Sequence, residues 1–244
     1  MQINGRTDPP ADPDTMREAV AYAISSRRSI RGFTDTPVDR ATIASLLDLA
    51  SRAPSGSNIQ PWKAHVLMGA ALARVSAALL GAFHSGQPES REYQYYPRNW
   101  RSPYLERRRA LGWKLYALTG VERGDKEAGR RQIARNYAFF GAPVGLIFTI
   151  DRDMEQGSWL DYGMFLQSLM IAARGLGLDT CPQAAIANYP DVLRRELPIS
   201  GSEMVVCGMA LGVPDPAEPA NALVAEREPV SAFTIFHGDQ DAAE

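Results

Sequence analysis

Two guanidinium groups with a hydroxyl between them stand at Arg27, Ser29 and Arg31, inside the run Arg27, Arg28, Ser29, Ile30, Arg31, Gly32, Phe33. In an extended chain successive side chains alternate faces, so these three share one face while Arg28 and Ile30 take the other. Charge-assisted bonds from arginine and a neutral donor from serine suit a phosphate monoester. The same run also reads as a solvated basic turn at a helix end, where arginine complements the helix dipole. A second stretch, Ala53 to Trp62, favours the binding reading. Pro54 and Pro61 frame it and narrow its unfolded ensemble, which lowers the entropy cost of ordering it. Gly56 admits close backbone approach. Ser55 adds a hydroxyl, and the side chains of Asn58 and Gln60 each donate and accept. Such groups match a flat heterocycle whose edge alternates carbonyl and imide N–H.

The elements that must position these residues belong to an ordinary globular chain. At 244 residues, 45% hydrophobic and 22% charged, it can bury a sizeable core. A net charge of −2 and a pI near 6.0 give no overall basicity for nucleic acid. Arg107, Arg108 and Arg109, like Arg130 and Arg131, read as solvated helix faces. Cys181 and Cys207 are too few and too far apart for a disulfide framework and suit buried thiols in a reduced, cytoplasmic compartment. His65, His84 and His237 show no metal-ligand spacing, so no metal site is expected. The polar N-terminus resembles neither a signal nor a transit peptide, and no apolar run approaches the ~20 residues of a membrane helix.

Residues 1–14 read as a polar, proline-bearing arm. Thr15 and Glu18 then have the spacing of a capping box for a helix carrying Met16, Val20 and Ile24 on one stripe. Asp39 reads as the N-cap of a second helix, with Ile43, Leu46, Leu47 and Ala50 as its apolar face. Lys63 to Met68 reads as a strand and Ala70 to Phe83 as a helix. Residues 85–101 form a polar, aromatic loop that is too rich in aromatics for disorder. Helical patterns follow at Pro103 to Leu118 and Lys126 to Phe140, and 85–124 reads as a lid or substrate-channel insertion. Buried strands are expected at Pro143 to Ile150 and Met204 to Leu211. Between them lie a helix at Gln156 to Arg174, apolar on most of its circumference, an extended piece at Asp179 to Pro182, and a short helix at Asp191 to Leu197. Residues 15–237 read as a single domain and 238–244 as a tail.

Four stretches together resemble the FMN-dependent nitroreductase family, in particular its nitrobenzoate- and dinitroaniline-reductase-like members. They are Arg27 to Phe33, Ala53 to Trp62, Gly175 to Ala185 followed by Met204 to Gly212, and Glu226 to Val230. The resemblance implies an α+β, three-layer fold, with a central, mostly antiparallel sheet flanked by helices, in an intertwined homodimer. It also implies FMN sites at the subunit interface and NADH or NADPH as electron donor. Arg27 and Ser29 would reach the phosphate, with Arg28 beside them, and Arg31 would sit at the N1 and O2 edge of the flavin. Pro54, Ser55, Gly56, Asn58 and Gln60 match a loop that the family supplies in part from the partner subunit. Pro182, Gln183, Ala184 and Ala185 match the segment near flavin N5 and O4, and Arg227 matches a second phosphate-binding residue.

Two departures stand out. No basic residue lies between Asn221 and Glu226, where many relatives carry one, and Ala184 stands where some have an acid. The implied reaction is ping-pong hydride transfer from NAD(P)H through flavin N5 to a nitroaromatic or quinone-like acceptor, nitro to hydroxylamine, with no catalytic side chain required. Tyr95, Tyr96, Trp100, Tyr104 and Trp113 could form an aromatic substrate wall, although Tyr104 and Trp113 read equally as helix core. Arg98, Arg101 or Arg107 could meet an acidic substituent of the substrate. The same fold would also suit an enone, quinone or flavin reductase, a dehalogenase, a flavin-fragmenting enzyme, or a flavin-binding protein without catalysis.

Overall fold

A four-stranded antiparallel sheet, in the order β1-β2-β4-β3, forms the middle of the molecule. The computed structural model describes residues 12–238. The strands are β1 (Lys63–Met68), β2 (Val144–Asp151), β3 (Asp179–Gln183) and β4 (Glu203–Gly212). The helices are α1 (Pro13–Ser26), α2 (Arg40–Ala50), α3 (Gly69–Ser85), α4 (Tyr104–Leu118), α5 (Lys126–Ala134), α6 (Gln156–Gly175) and α7 (Pro190–Glu196). Among the described residues, no helix is long and apolar enough to cross a membrane.

Period-two alternation in the central strands feeds two hydrophobic layers. Val144, Leu146, Phe148 and Ile150 of β2 pack with Ile43 and Leu46 of α2 and with Phe165 and Leu169 of α6. Ile147 of β2 and Val205 of β4 face the other way, toward Val75 and Leu79 of α3 and Leu193 of α7. Each fully buried side chain of this kind contributes about 1.5–3 kcal/mol. The two central strands are buried along nearly their whole length because helices cover both faces.

The first helix departs from expectation. Asp12, not Thr15, is its N-cap: the Asp12 carboxylate accepts from the N–H groups of Asp14 (3.1 Å) and Thr15 (3.3 Å). Pro13 occupies the first turn, where its fixed φ is already helical, so Asp-Pro is a stronger start signal than Thr15 with Glu18. Residues 12–14 of the expected arm thus belong to the helix. The rest of the arm, and the tail from 239 onward, lie outside the described residues. The stripe Met16, Val20 and Ile24 is present but uncovered.

A second departure follows α5, which stops at Ala134 rather than running to Phe140. Residues Arg135–Gly141 form tight turns with Phe139 and Phe140 at φ 49° and 53°. Both rings are buried, and their burial offsets a backbone conformation that disfavours bulky side chains.

Candidate functional site

The run after α1 is extended, and it adds a short parallel bridge, Ser29 to Thr180, to the edge strand β3. Ile30 N–H donates to the Thr180 carbonyl at 3.0 Å, and its side chain is buried as an anchor. Arg31 N–H donates to Asn221 Oδ1 at 2.7 Å. Arg135 donates to the Arg31 carbonyl at 2.7 Å and grips the Glu218 carboxylate at 3.2 and 2.5 Å. The Arg135 bonds hold the Glu218 carboxyl below its usual range. Gly32 lies against Glu218, close enough that a Cβ would stand 2.3 Å from its Cγ. On the other side, Arg174 bonds Ser26 Oγ at 3.2 Å and Asp179 at 2.7 Å.

This scaffold presents Arg27, Ser29 and Arg31 to one cavity of about 640 Å³, as alternation requires. Arg28 lines it too, although alternation sends it to the other face. It stands only two residues beyond α1, where the turn off the helix has not yet become a strand. Arg227 lines the cavity from the C-terminal segment, together with Leu223 and with Leu111 of α4. Burial, and next the positive charge of Arg227, hold the Arg27 guanidinium below the usual arginine range. Arg227 donates only to the carbonyls of Ala225 and Glu226, at 3.1 and 2.9 Å. Two like charges share a concave, partly desolvated space, and the nearby Asp179 is already paired with Arg174, so that space favours an anion.

A second cavity, of about 630 Å³, lies where β3 ends. Pro182, Gln183 and Ala184 form one wall, and Tyr93, Tyr95, Trp159, Leu166 and Cys207 are among the others. Ala185, expected with these, is half-buried against the core instead. Gln183 donates to the Asn136 carbonyl at 2.6 Å, while its buried Oε1 has no partner. Gly208, paired with Gln183 across the sheet, leaves room for Ile186, whose Cγ1 would stand 2.6 Å from an added Cβ. The turn 184–188 therefore packs directly on β4.

The aromatic loop is tied at its start. Glu92, 11% exposed, pairs with Arg194 at 2.9 Å and with Arg152, and accepts from Val205 N–H at 3.1 Å. Burial raises the Glu92 pKa, but the bonds from Arg194 and Arg152 outweigh it and the carboxyl lies below its usual range. Tyr93 then reaches the Val206 carbonyl and packs on Trp159, with centroids 4.6 Å apart.

Of the five aromatic candidates, Tyr95 lines the second cavity. Tyr96 meets Tyr95 edge-on, Trp100 packs tilted against Tyr96, and Arg108 covers Trp100 at 4.6 Å. Arg108 is therefore not simply a solvated helix charge. Tyr104 and Trp113 line neither cavity: Tyr104 lies under Arg101 and Arg107, and Trp113 lines a separate groove with Tyr116 and Arg123. Nor are they helix core, being 46% and 51% exposed. α4 buries none of its residues, so its aromatics are surface contacts. Tyr93, at the head of the aromatic segment, belongs to the wall, and so does Trp159, which is not an aromatic candidate from the sequence. Trp159 reads in sequence as one more apolar position of α6, and nothing local marks it as facing a cavity.

Pro54, Ser55, Gly56, Asn58 and Gln60 line neither cavity. Their loop is rigid: Gly56 N–H donates to Asp161 at 3.0 Å, and Gln60 N–H to Ser55 Oγ at 3.0 Å. Ser57, Asn58 and Gln60 hold φ of 50°, 58° and 52°. Three positive values within four residues mark a strained, specific shape, which the polar composition suggests but does not reveal. The loop touches α6 at Asp161, whereas the first cavity reaches α6 through Ser26, which Arg174 bonds. Thirteen helical residues separate them, roughly 20 Å along the axis. Within one chain the loop therefore stands apart from the arginines.

Neither cysteine offers a ready nucleophile, although Cys207 lines the second cavity. Burial pushes the Cys181 thiol to about 11 and the Cys207 thiol to about 12, so both stay protonated. Among the described residues, no three His, Cys, Asp or Glu side chains gather as a metal site.

Comparison with known proteins gives one consistent answer. The model of the nitroreductase family matches residues 24–213. The chain is 43% identical to a 4-nitrobenzoate reductase of Pseudomonas putida, over 88% of this chain and 94% of that one. It is 42% identical to a chloronitrobenzene nitroreductase of Comamonas testosteroni, over 87% and 94%. The structure of the FMN and NADPH-dependent nitroreductase NfnB from Sphigopyxis sp. strain HMH superposes with a TM-score of 0.87 at 38% identity, covering 90% of this chain and 99% of that one. NfnB from Mycobacterium smegmatis, in complex with NADPH, gives 0.87 at 30% identity, covering 91% and 100%.

Proposed function

The chain belongs to the nitroreductase family, and from that premise we propose that it is an NAD(P)H-dependent FMN nitroreductase that reduces nitroaromatic compounds in a site shared by two copies of the chain. The observation that carries the reading is the cavity between Arg27 and Arg227, two unpaired guanidiniums converging on one space with Ser29 between them and the sheet edge. That donor set fits the phosphate of FMN. The orphaned, buried Gln183 Oε1 fits the same cofactor, because a flavin edge carries an imide N–H that needs an acceptor.

When bound, FMN supplies the redox chemistry, taking a hydride equivalent from NAD(P)H and giving two electrons to the nitro group. The chain's own residues bind and orient. Arg27, Ser29 and Arg227 hold the phosphate, with Arg28 at the rim. Arg31, fixed through Asn221 and Arg135, offers positive charge to the pyrimidine edge, where it stabilises the reduced cofactor. Pro182, Gln183 and Ala184, which wall the second cavity, would hold the flavin ring through backbone groups, with Ala185 supporting the turn behind them. Tyr95, with Tyr93 and Trp159, forms an apolar wall for the substrate ring, and the Glu92 ion pairs hold that wall in place.

The Ser55 to Gln60 loop completes the site from the second copy. Asn58 and Gln60 are exposed, and the loop's separation from Arg27 leaves it no role in its own chain's cavity. The uncovered apolar side chains Leu160, Phe233, Ile235 and Phe236 are the surface such a dimer would bury.

Anaerobic titration of the FMN-loaded protein tests the activity. NADPH should bleach the flavin absorbance, and nitrobenzoate or nitrobenzene should restore it. A bleached flavin that quinones reoxidise but no nitroarene does would assign the chain to another chemistry of the same fold.

A further inference from the structure

Arg227 has little of its own to fix it. Beyond the buried Leu223, residues 224–229 form neither helix nor strand, and Glu226, Arg227 and Glu228 are all exposed. The contacts that fix this segment come from α4. Arg107, Leu111 and Lys114 fall at i, i+4 and i+7, one face of that helix. Lys114 pairs with Glu226, and Arg107 pairs with Glu228 at 2.9 Å. Leu111, between them on the stripe, lines the arginine cavity beside Arg227. The two acids on either side of Arg227 are thus held by α4 while the arginine between them faces the cavity.

We infer that α4 is the positioning element for Arg227, with Lys114 and Arg107 acting through Glu226 and Glu228 to aim it at the cofactor phosphate. The inference rests on the FMN reading of the cavity. It also gives the basic helix 107–114 a function that does not require it to touch substrate, and it offsets the lack of basic residues between Asn221 and Glu226. Since the helix buries none of its own residues, these ion pairs are its principal hold on the segment.

Charge reversal separates positioning from plain attraction. Glu226→Lys adds positive charge near the cavity, so simple electrostatics would tighten FMN. Positioning predicts the opposite. Apoprotein carrying Glu226→Lys should bind FMN about fivefold more weakly than wild type, the scale of a lost exposed pair plus a new repulsion. Riboflavin, which lacks the phosphate, should bind the variant and wild type equally. Adding Lys114→Glu to Glu226→Lys should restore FMN affinity, and the defect should shrink at high salt. Unchanged or tighter FMN binding by Glu226→Lys would overturn the inference, and so would an equal loss of riboflavin or a double variant that stays defective. Wild-type apoprotein that takes up neither ligand would overturn the FMN reading and this inference with it.

Discussion

Arg27→Ala is expected to purify largely free of FMN, with affinity reduced about a hundredfold, the scale of truncating one partner of a desolvated charge pair. Arg27 is the half-buried member of the pair, placed by the Ser29–Thr180 bridge and by the Ile30 anchor on either side of it. Arg227 sits on a segment that ion pairs alone restrain and cannot substitute for it. The apoprotein itself should not suffer. Burial and Arg227 disfavour the charged Arg27 side chain by more than nearby Asp179 favours it, so removing it relieves a net penalty in the apoprotein. Apo Arg27→Ala should therefore melt no lower than apo wild type, while added FMN raises the melting temperature of wild type only. A variant that keeps stoichiometric FMN would show that the phosphate lies elsewhere.

Gly32→Ala should have the larger effect on the fold. The added methyl would stand 2.3 Å from Glu218 Cγ and 2.5 Å from its Cβ, the stem of the side chain rather than its mobile end. Glu218 cannot swing aside, because Arg135 holds its carboxylate and Ala220 N–H donates to it at 3.1 Å. Overpacking and the broken ion pair together cost about 2–4 kcal/mol, since strain adds to the loss of a half-buried charge partner. For a chain of this size that lowers the melting temperature by roughly 5–12 °C. Arg135 also supports the Arg31 carbonyl, so FMN affinity should fall as well. Gly81→Ala in α3 is the control, since an added Cβ there meets nothing within 4 Å. It should be neutral or slightly stabilising. Equal melting of Gly32→Ala and wild type would mean that Glu218 is not fixed as described.

The alternation of Arg27, Ser29 and Arg31 was readable because period two is a local property, and the buried Ile30 confirms the extended backbone. Strand and helix positions were legible for the same reason, from apolar periodicity and from caps such as Asp39, which accepts from Thr42 N–H at 2.8 Å. What sequence left hidden is what depends on distant partners. The role of Glu92 requires Arg152 and Arg194, 60 and 102 residues away. Trp159 looks like any apolar position of α6 until the loop 92–95 packs over it. The end of α5 is set by where Phe139 and Phe140 are buried, and Tyr104 and Trp113 line neither cavity of their own chain because α4 docks through charges and leaves its rings at the surface.

The central claim is that the arginine cavity of one chain is completed by the Ser55 to Gln60 loop of another, and hybrid dimers test it most directly. One parent carries Arg27→Ala, the other Ser55→Ala with Asn58→Ala, and each alone should bind little FMN. After unfolding and refolding the two together, a hybrid with a shared site has Arg27 from one chain and the intact loop from the other. It should bind about one FMN per hybrid dimer, because a two-fold pair keeps one of its two sites whole. Hybrids that stay as empty as their parents would contradict the account and place the loop and the arginines in the same chain's site.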